Sequence, residues 1–245
     1  MTAPALTESE REAALALGDD ALILSHRLAE WAGHAPVLEE EVALANLALD
    51  LLGQARALLS LAGDEDELAF RRDARDFRNL QLVEQPNGDF AHTVVRQLFH
   101  ATWQELLYAQ LAAGGGPFAA IAAHAAPETR YHRDHAVTWT LRLGDGTAES
   151  HARTGRAVRA LWRFTGELFE PVPGLAGTDP GGLRAAWTER VTETLRAATL
   201  PVPEAPPPPT AWSAGGGRRG IHTEPFGRLL AEMQHLHRSH PGAAW

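Results

Sequence analysis

Residues 37–62 form the longest stretch of the chain in which apolar side chains recur on almost every side of a helix. Two faces carry them: Leu38, Val42, Ala45, Leu49 and Leu52 lie on one, and Leu44, Leu47, Leu51 and Leu58 lie on the other. A helix that is apolar nearly all round packs among other helices in a protein interior. This stretch therefore predicts a helical bundle, with enough further helices to enclose it.

Three other long segments have apolar residues at helical spacing, with helix-capping or helix-breaking residues at their ends. Thr7 and Glu10 have the spacing of a capping box at the start of the first, and Asp89 is positioned to cap the third. The segments are residues 8–33, 89–113 and 117–143, the last with Pro127 as a predicted kink. Because the connections between the four segments are short, they predict a four-helix bundle over residues 8–143.

The rest of the chain predicts elements that cover this bundle. The charged residues 64–78 indicate a short solvated helix or connector. Later segments are expected to be covering helices within residues 147–200, a linker rich in proline and glycine at 201–222, and a last helix at 224–240. No segment has the alternation of a strand, so we expect one all-α domain.

Composition excludes several classes of function. The formal net charge is −9, and all 22 basic residues are arginine, which argues against a nucleic-acid groove or a polybasic membrane surface. The absence of cysteine excludes disulfides, thiolate metal sites and cysteine nucleophiles. The amino-terminal residues lack the apolar core of a signal peptide, and no uncharged apolar run reaches the roughly 18 residues of a membrane span. A cytoplasmic protein without membrane insertion is the expectation.

Metal-binding bundles of the ferritin-like kind define positions at which ligands can be sought. One carboxylate comes from each of two helices, and a Glu-x-x-His pair comes from each of the other two. Glu30 is the candidate on the first helix, with a surface acid or a salt bridge as the alternative interpretation. On the second helix Asp50 is the candidate, but Gly53 stands where the histidine is needed, so a buried salt-bridge network is favoured. On the third helix only His100 could coordinate a metal.

The fourth helix carries the richest set of donors. His124, Glu128, His132 and His135 are spaced by four, four and three, which places them roughly on one face. Thr129 lies three residues before His132, so the Glu-x-x-His spacing is absent. Two interpretations stay open: an unusual metal site around Glu128, His132 and His135, in a self-contained metal-dependent oxidoreductase, or hydrogen-bonded and exposed histidines.

The segment 215–220 combines four glycines with Arg218 and Arg219. Guanidinium groups bind phosphates, and glycine lets backbone N–H groups approach an anion, so Arg218 and Arg219 are candidate contacts for coenzyme A or another anion. A structural or interface loop is the alternative. No Gly-x-Ser-x-Gly motif, phosphate-binding loop or dinucleotide fingerprint is present, which removes the corresponding hydrolase and nucleotide-binding classes.

Several long motifs resemble those of one protein family. They are Leu44–Asn46, Leu49–Arg56, Val83–Gly88, Arg130–His132, Leu161–Phe164, Gly220–Glu224 and Leu230–Gln234. These motifs are similar to the PaaC family of subunits of the bacterial phenylacetyl-CoA epoxidase, from about residue 21 to residue 245. The resemblance implies a ferritin-like subunit without iron of its own. It would support a related, PaaA-type catalytic subunit that carries the di-iron centre and epoxidises the ring of phenylacetyl-CoA.

The resemblance also identifies degenerate ligand positions. At three of the six ligand positions in the catalytic relative's pattern, the side chains Glu30, Asp50 and His132 could still bind a metal. The other three positions need histidine or a carboxylate but are occupied by Gly53, Ala101 and Thr129. A shift of one residue would place His100 instead of Ala101. We therefore expect no bound cofactor, hetero-oligomerisation with the catalytic subunit and other oxygenase components, and self-association of the isolated chain. The large aromatic side chains that could serve in the core or an interface are Trp103, Trp139, Trp162 and Trp187.

Overall fold

The computed structural model describes residues 6–175, 177–204 and 215–243. Its α-helices are α1 Glu8–Ala29, α2 Leu38–Ala62, α3 Glu65–Phe70, α4 Phe90–Gly114, α5 Ala119–Gly144, α6 Ala148–Trp162, α7 Pro180–Ala197 and α8 Glu224–Ser239. Short 3₁₀ turns lie at Ala74–Asp76, Thr165–Phe169 and Gly217–Arg219. None of the described residues lies in a strand. The all-α fold class predicted from the sequence is confirmed.

The helix ends agree with the sequence prediction to within a few residues. Thr7 and Glu10 form the predicted capping box of α1, and the Asp89 side chain accepts from the backbone N–H of His92 at the start of α4. Pro127 lies inside α5, and Pro225 lies in the first turn of α8. Of the linker predicted at 201–222, residues 205–214 lie outside the described residues, and the described part includes the 3₁₀ turn Gly217–Arg219.

The chain divides into two compact units, and each is described by itself. The first comprises residues up to 86 together with 172–175 and those from 216 onwards; the second comprises 87–171 and 176–215. The single domain expected from the sequence therefore stays a prediction.

The helices α1 and α2 pair along their length and form the core of the first unit. The buried leucines of the pair include Leu17, Leu24, Leu28, Leu44, Leu47, Leu51 and Leu58. Burial of each contributes roughly 1.5–3 kcal/mol to folding. Gly18 permits the close approach, because a Cβ at this position would lie 2.8 Å from Cδ2 of Leu59. The helix α8 packs on α3, where the His237 ring stacks on Phe70 at a centroid distance of 3.8 Å.

An aromatic cluster lies at the centre of the second unit, where α6 and α7 pack against α4. Trp187 is fully buried and contacts the rings of Phe99, Trp162 and Phe169 at centroid distances of 5.4–5.6 Å. Its indole Nε1–H donates to the Phe99 carbonyl at 2.8 Å, which satisfies the polar atom. Trp103 is also buried, and the partly buried Trp139 makes an edge contact with Phe90. Trp103, Trp162 and Trp187 therefore belong to the core.

One face of α2 departs from the prediction that the helix is enclosed on every side. Leu38, Val42 and Leu49 are 73%, 54% and 63% exposed, and Ala45 between them is exposed as well. The opposite face, which includes Leu44, Leu47 and Leu51, is buried. By length and composition α2 is apolar enough to cross a bilayer, a test that the core helix of a soluble protein also passes. We refer to Leu38, Val42, Ala45, Leu49 and Leu52 together as the α2 face.

Candidate functional site

Of the three candidate ligand positions of the first unit, two are exposed. Glu30 caps the carboxyl end of α1, and its carboxylate forms an ion pair with Arg27 at 2.8 Å. Asp50 is partly buried, and Gly53 is exposed: apart from its chain neighbours and its own helix backbone, no atom lies within 4 Å of the place where a Cβ would stand. Position 53 therefore opens away from the packed interior of this unit, whereas a metal site needs ligands that converge. Glu30 fits the surface salt bridge that was the alternative interpretation.

Asn46, Asp50 and Gln54 follow one another at intervals of four and form a polar stripe along α2, which is only partly buried. Gln54 is 4% exposed, but Asn46, eight residues earlier, lies at the surface. The expected buried salt-bridge network around Asp50 therefore does not extend along the whole stripe. The physical reason is that the stripe lies beside the α2 face, which α1 does not cover.

The candidate positions of the second unit are buried, and two of the four lack the ligand group that a metal site needs. Ala101 and Thr129 have neither an imidazole nor a carboxylate, and the Thr129 hydroxyl donates to the Ala126 carbonyl at 3.0 Å. His132 and His100 are each 1% exposed, and the His100 ring packs near Trp103. His132 therefore faces the interior of the second unit.

The four donors of α5 do not come together. His124 is exposed, Glu128 and His135 are partly exposed, and only His132 is buried. Within residues 6–175, 177–204 and 215–243, no group of three His, Asp or Glu side chains could hold a metal ion. The metal site around Glu128, His132 and His135 therefore has no geometric support. A pair of irons held in the ferritin-like pattern does not fit the side chains present.

A buried ionic network in the first unit was not foreseen from the sequence. The adjacent carboxylates Asp19 and Asp20 of α1 are 0% and 2% exposed, and Asp19 pairs with Arg72 and accepts from the backbone N–H of Arg78 at 2.8 Å. Burial raises the pKa of Asp19, and the neighbouring Arg72 guanidinium opposes that shift. The residues 64–78, expected to be solvated, thus include an arginine that reaches the core.

Arg218, a candidate anion contact, belongs to this network. Its Nη2 lies 2.7 Å from Oδ2 of Asp20, and its Nη1 donates to Oδ1 of Asp20 and to the carbonyls of Ala16 and Arg78. An anion at Arg218 would have to displace a buried carboxylate, at a cost of several kcal/mol. Arg219, by contrast, has an exposed side chain.

A second cluster joins two of the sequence motifs. Glu84, which is fully buried, accepts from the backbone N–H of Thr223 at 2.6 Å and contacts Nδ1 of His222 at 2.9 Å. The side chain of Gln81 donates to the Ile221 carbonyl at 2.8 Å. Glu84 of the motif Val83–Gly88 therefore contacts His222 and Thr223 of the motif Gly220–Glu224, and these contacts hold the two segments together within the first unit.

Each unit also contains a cavity. One of about 320 Å³ lies between α1 and α2 and is almost entirely apolar, lined by residues that include Leu28, Ala29, Ala45, Ala48, Leu49 and Leu52. The other, of about 340 Å³, lies among α4, α5 and α7 and is lined by residues of both charge signs, such as Arg133, Asp134, Arg190 and Glu193. Near it Glu105 pairs with Arg133 and Arg190 at 3.3 and 2.8 Å. Arg130 also pairs with Glu105, at 3.8 Å, so three arginines face three acids and leave no excess charge for a ligand.

Comparison with known proteins identifies the family. A family model described as phenylacetic acid catabolic protein matches residues 2–245. A subunit of the 1,2-phenylacetyl-CoA epoxidase of Escherichia coli (strain K12) is 49% identical over 246 residues, which cover 94% of this chain and 97% of the relative. The chain belongs to the phenylacetic acid catabolic protein family. Membership in the phenylacetic acid catabolic protein family confirms the resemblance found in the motifs and, with it, the ferritin-like class of helical fold.

Proposed function

We propose that the chain is the structural subunit of a multi-subunit oxygenase that epoxidises the aromatic ring of phenylacetyl-CoA in phenylacetate catabolism. The observation that carries the proposal is the identity to the Escherichia coli epoxidase subunit, which extends over nearly the whole of both chains. In this role the chain acts in the cytoplasm and supports a related, PaaA-type catalytic subunit. The di-iron centre belongs to that partner, and this chain binds no cofactor.

The side chains of this chain support the proposal that the iron is bound by the catalytic subunit alone. Gly53, Ala101 and Thr129 supply no ligand where the ferritin-like pattern requires one, and Glu30 is engaged by Arg27 at the end of α1. Too few carboxylate and imidazole groups remain at these positions to hold two irons. The long helices themselves are kept, and their apolar surfaces are suited to packing against another helical subunit.

Metal analysis of separately purified subunits tests the proposal. Both subunits are produced in iron-supplemented medium, and iron per chain is measured by mass spectrometry for each alone and for the assembled complex. We expect iron to remain with the catalytic subunit, and we expect epoxidation of phenylacetyl-CoA to require both chains. Two irons per chain in this protein alone would overturn the metal-free role.

The alternative of a self-contained site is tested in the same assay. The double variant Glu128→Gln, His135→Gln changes two partly exposed side chains and leaves the buried His132 in place. Because no described cluster could hold a metal, we expect the assembled complex to retain its turnover. Loss of turnover with the complex still assembled would favour the self-contained oxidoreductase.

A further inference from the structure

The α2 face has the residue spacing of a helix–helix seam. Its members Leu38, Val42, Ala45, Leu49 and Leu52 follow one another at intervals of four, three, four and three. This alternation keeps apolar side chains along one line of a helix and is the spacing by which two long helices interdigitate. The seam covers about four turns of α2, and three of its large side chains are more than half exposed.

The apolar cavity between α1 and α2 lies directly beside the seam. Ala45, Leu49 and Leu52 belong both to the seam and to the wall of the cavity. Its volume of about 320 Å³ is sufficient for a large apolar side chain projected from a helix packed on the seam. A flat surface would offer only contact area. A side chain that enters the cavity also fixes the register of a helix packed on the seam.

Charge along the α2 face identifies what kind of helix fits. Glu39 and Glu41 lie at the amino-terminal end, and Arg56 is the one basic residue of α2. Arg56 is itself ion-paired with Glu65 at 2.8 Å. A second copy of α2 packed in parallel would place acidic residues against acidic residues. An antiparallel copy would offer only an arginine that Glu65 already engages, so the charges favour a different chain.

We propose that the α2 face is the docking surface for the catalytic subunit, which lays a long amphipathic helix along the seam. That helix has apolar residues at the same three- and four-residue spacing, a large side chain that enters the cavity, and basic residues opposite Glu39 and Glu41. The inference rests on the proposed function, because the relative is named as one subunit of an epoxidase and a subunit must have a surface for its partner. The acidic end of α2 also disfavours an anionic lipid surface as the occupant.

Charge substitutions on the seam test the inference directly. Leu49→Asp and Val42→Asp place a carboxylate at exposed positions, and Leu236→Asp on α8 is the matched control because Leu236 is 46% exposed. Affinity for the purified catalytic subunit is measured by calorimetry, and circular dichroism verifies that each variant is folded. We expect each seam variant to bind at least about 30-fold more weakly, as for a central interface side chain, and the control to bind as the wild type does.

The absence of cysteine allows a second, independent measurement. A thiol introduced by Ala45→Cys or by the control Leu236→Cys is unique in the chain, so its rate of maleimide labelling reports its own exposure. Binding of the catalytic subunit is expected to slow the labelling at position 45 by at least about tenfold and to leave position 236 unchanged. Equal labelling of the Ala45→Cys variant in the free and the bound chain would overturn the inference.

The outcomes separate the inference from the function on which it rests. If the wild-type chain does not bind the catalytic subunit, the proposed function and the docking surface both fail. If the wild type binds and Leu49→Asp binds equally well, only the docking surface fails. Sedimentation and vesicle binding test the other two occupants. A dimer of this chain that persists in the presence of the catalytic subunit and that Leu49→Asp abolishes would replace the proposal. Binding to anionic vesicles that Leu49→Asp abolishes would replace it as well.

Discussion

Asp20 and Arg218 form a buried ion pair, with Oδ2 and Nη2 2.7 Å apart, although 198 residues separate them in the chain. The pair ties the 3₁₀ turn Gly217–Arg219 to α1, and the same guanidinium donates to the carbonyls of Ala16 and Arg78. Three separate segments of the first unit therefore depend on one side chain. The turn itself requires glycine at its end, because Gly220 has a positive φ of 72° and a Cβ there would lie 2.2 Å from the Arg75 carbonyl oxygen.

Removal of this guanidinium is expected to destabilise the fold. Arg218→Leu leaves Asp20 buried without its charged partner, which costs about 3–5 kcal/mol. Arg219→Leu changes the exposed neighbour and is expected to alter the free energy of unfolding by no more than about 0.5 kcal/mol. Urea denaturation of the two variants measures the difference, and equal midpoints would show that the Arg218 pair contributes nothing.

Two glycines on long helices are expected to respond to alanine in opposite directions. At the exposed Gly53 nothing lies within 4 Å of a Cβ, so Gly53→Ala should stabilise α2 by about 0.5–1 kcal/mol. At Gly144 a Cβ would lie 2.3 Å from the Ala198 carbonyl oxygen, so Gly144→Ala should destabilise by about 1–3 kcal/mol. Thermal unfolding followed by circular dichroism tests both; a loss of stability in Gly53→Ala would show that position 53 is packed.

The Trp187 cluster predicts a graded loss of stability. Trp187→Phe keeps an aromatic ring among Phe99, Trp162 and Phe169 but loses the hydrogen bond to the Phe99 carbonyl. We expect it to cost less than Trp187→Ala, for which the cavity penalty is about 3–5 kcal/mol. Guanidinium denaturation measures the free energy of unfolding of the wild type and of both variants. Equal costs for the two would show that the hydrogen bond, rather than ring packing, dominates at this position.

The helices could be predicted from the sequence because their determinants are local. Thr7 and Asp89 mark helix starts through hydrogen bonds to residues three positions away, and apolar spacing indicates the faces between the ends. The exposure of Leu49 could not be predicted. Apolarity indicates that a face is to be covered, but it does not say whether the same chain or another one covers it.

The sequence shows which ligand groups are missing from the candidate site, but not which residues contact the candidate side chains. Gly53 and Thr129 already show in the sequence that ligands are missing. The partners of Arg218 and Glu84 depend on contacts between residues more than 130 positions apart, which no local pattern encodes. Asp19 and Asp20 could not be recognised as buried from the sequence, because two adjacent carboxylates in the middle of a helix also fit its solvated face.

The last prediction concerns pH and the partly buried His26, which lines the apolar cavity beside the α2 face. Burial lowers the pKa of His26 below its ordinary value of 6.5, because the charged imidazolium is poorly solvated there. A depressed histidine pKa means that the unfolded chain binds the proton more readily than the folded chain. Stability is therefore fully present above about pH 6.5 and falls as the pH decreases towards the pKa of the folded state.

The measurement compares urea midpoints at about pH 7.5 and about pH 5.5 for the wild type, for His26→Gln and for the exposed-histidine control His124→Gln. The pKa of His92 is also lowered, chiefly by burial, so part of the acid sensitivity should remain in every variant. We expect His26→Gln to have a smaller shift between the two pH values than the wild type, and His124→Gln to match the wild type. An unchanged shift in His26→Gln would contradict the assignment. Because His26 lies beside the α2 face, a partner helix that covers the cavity should increase this pH dependence further.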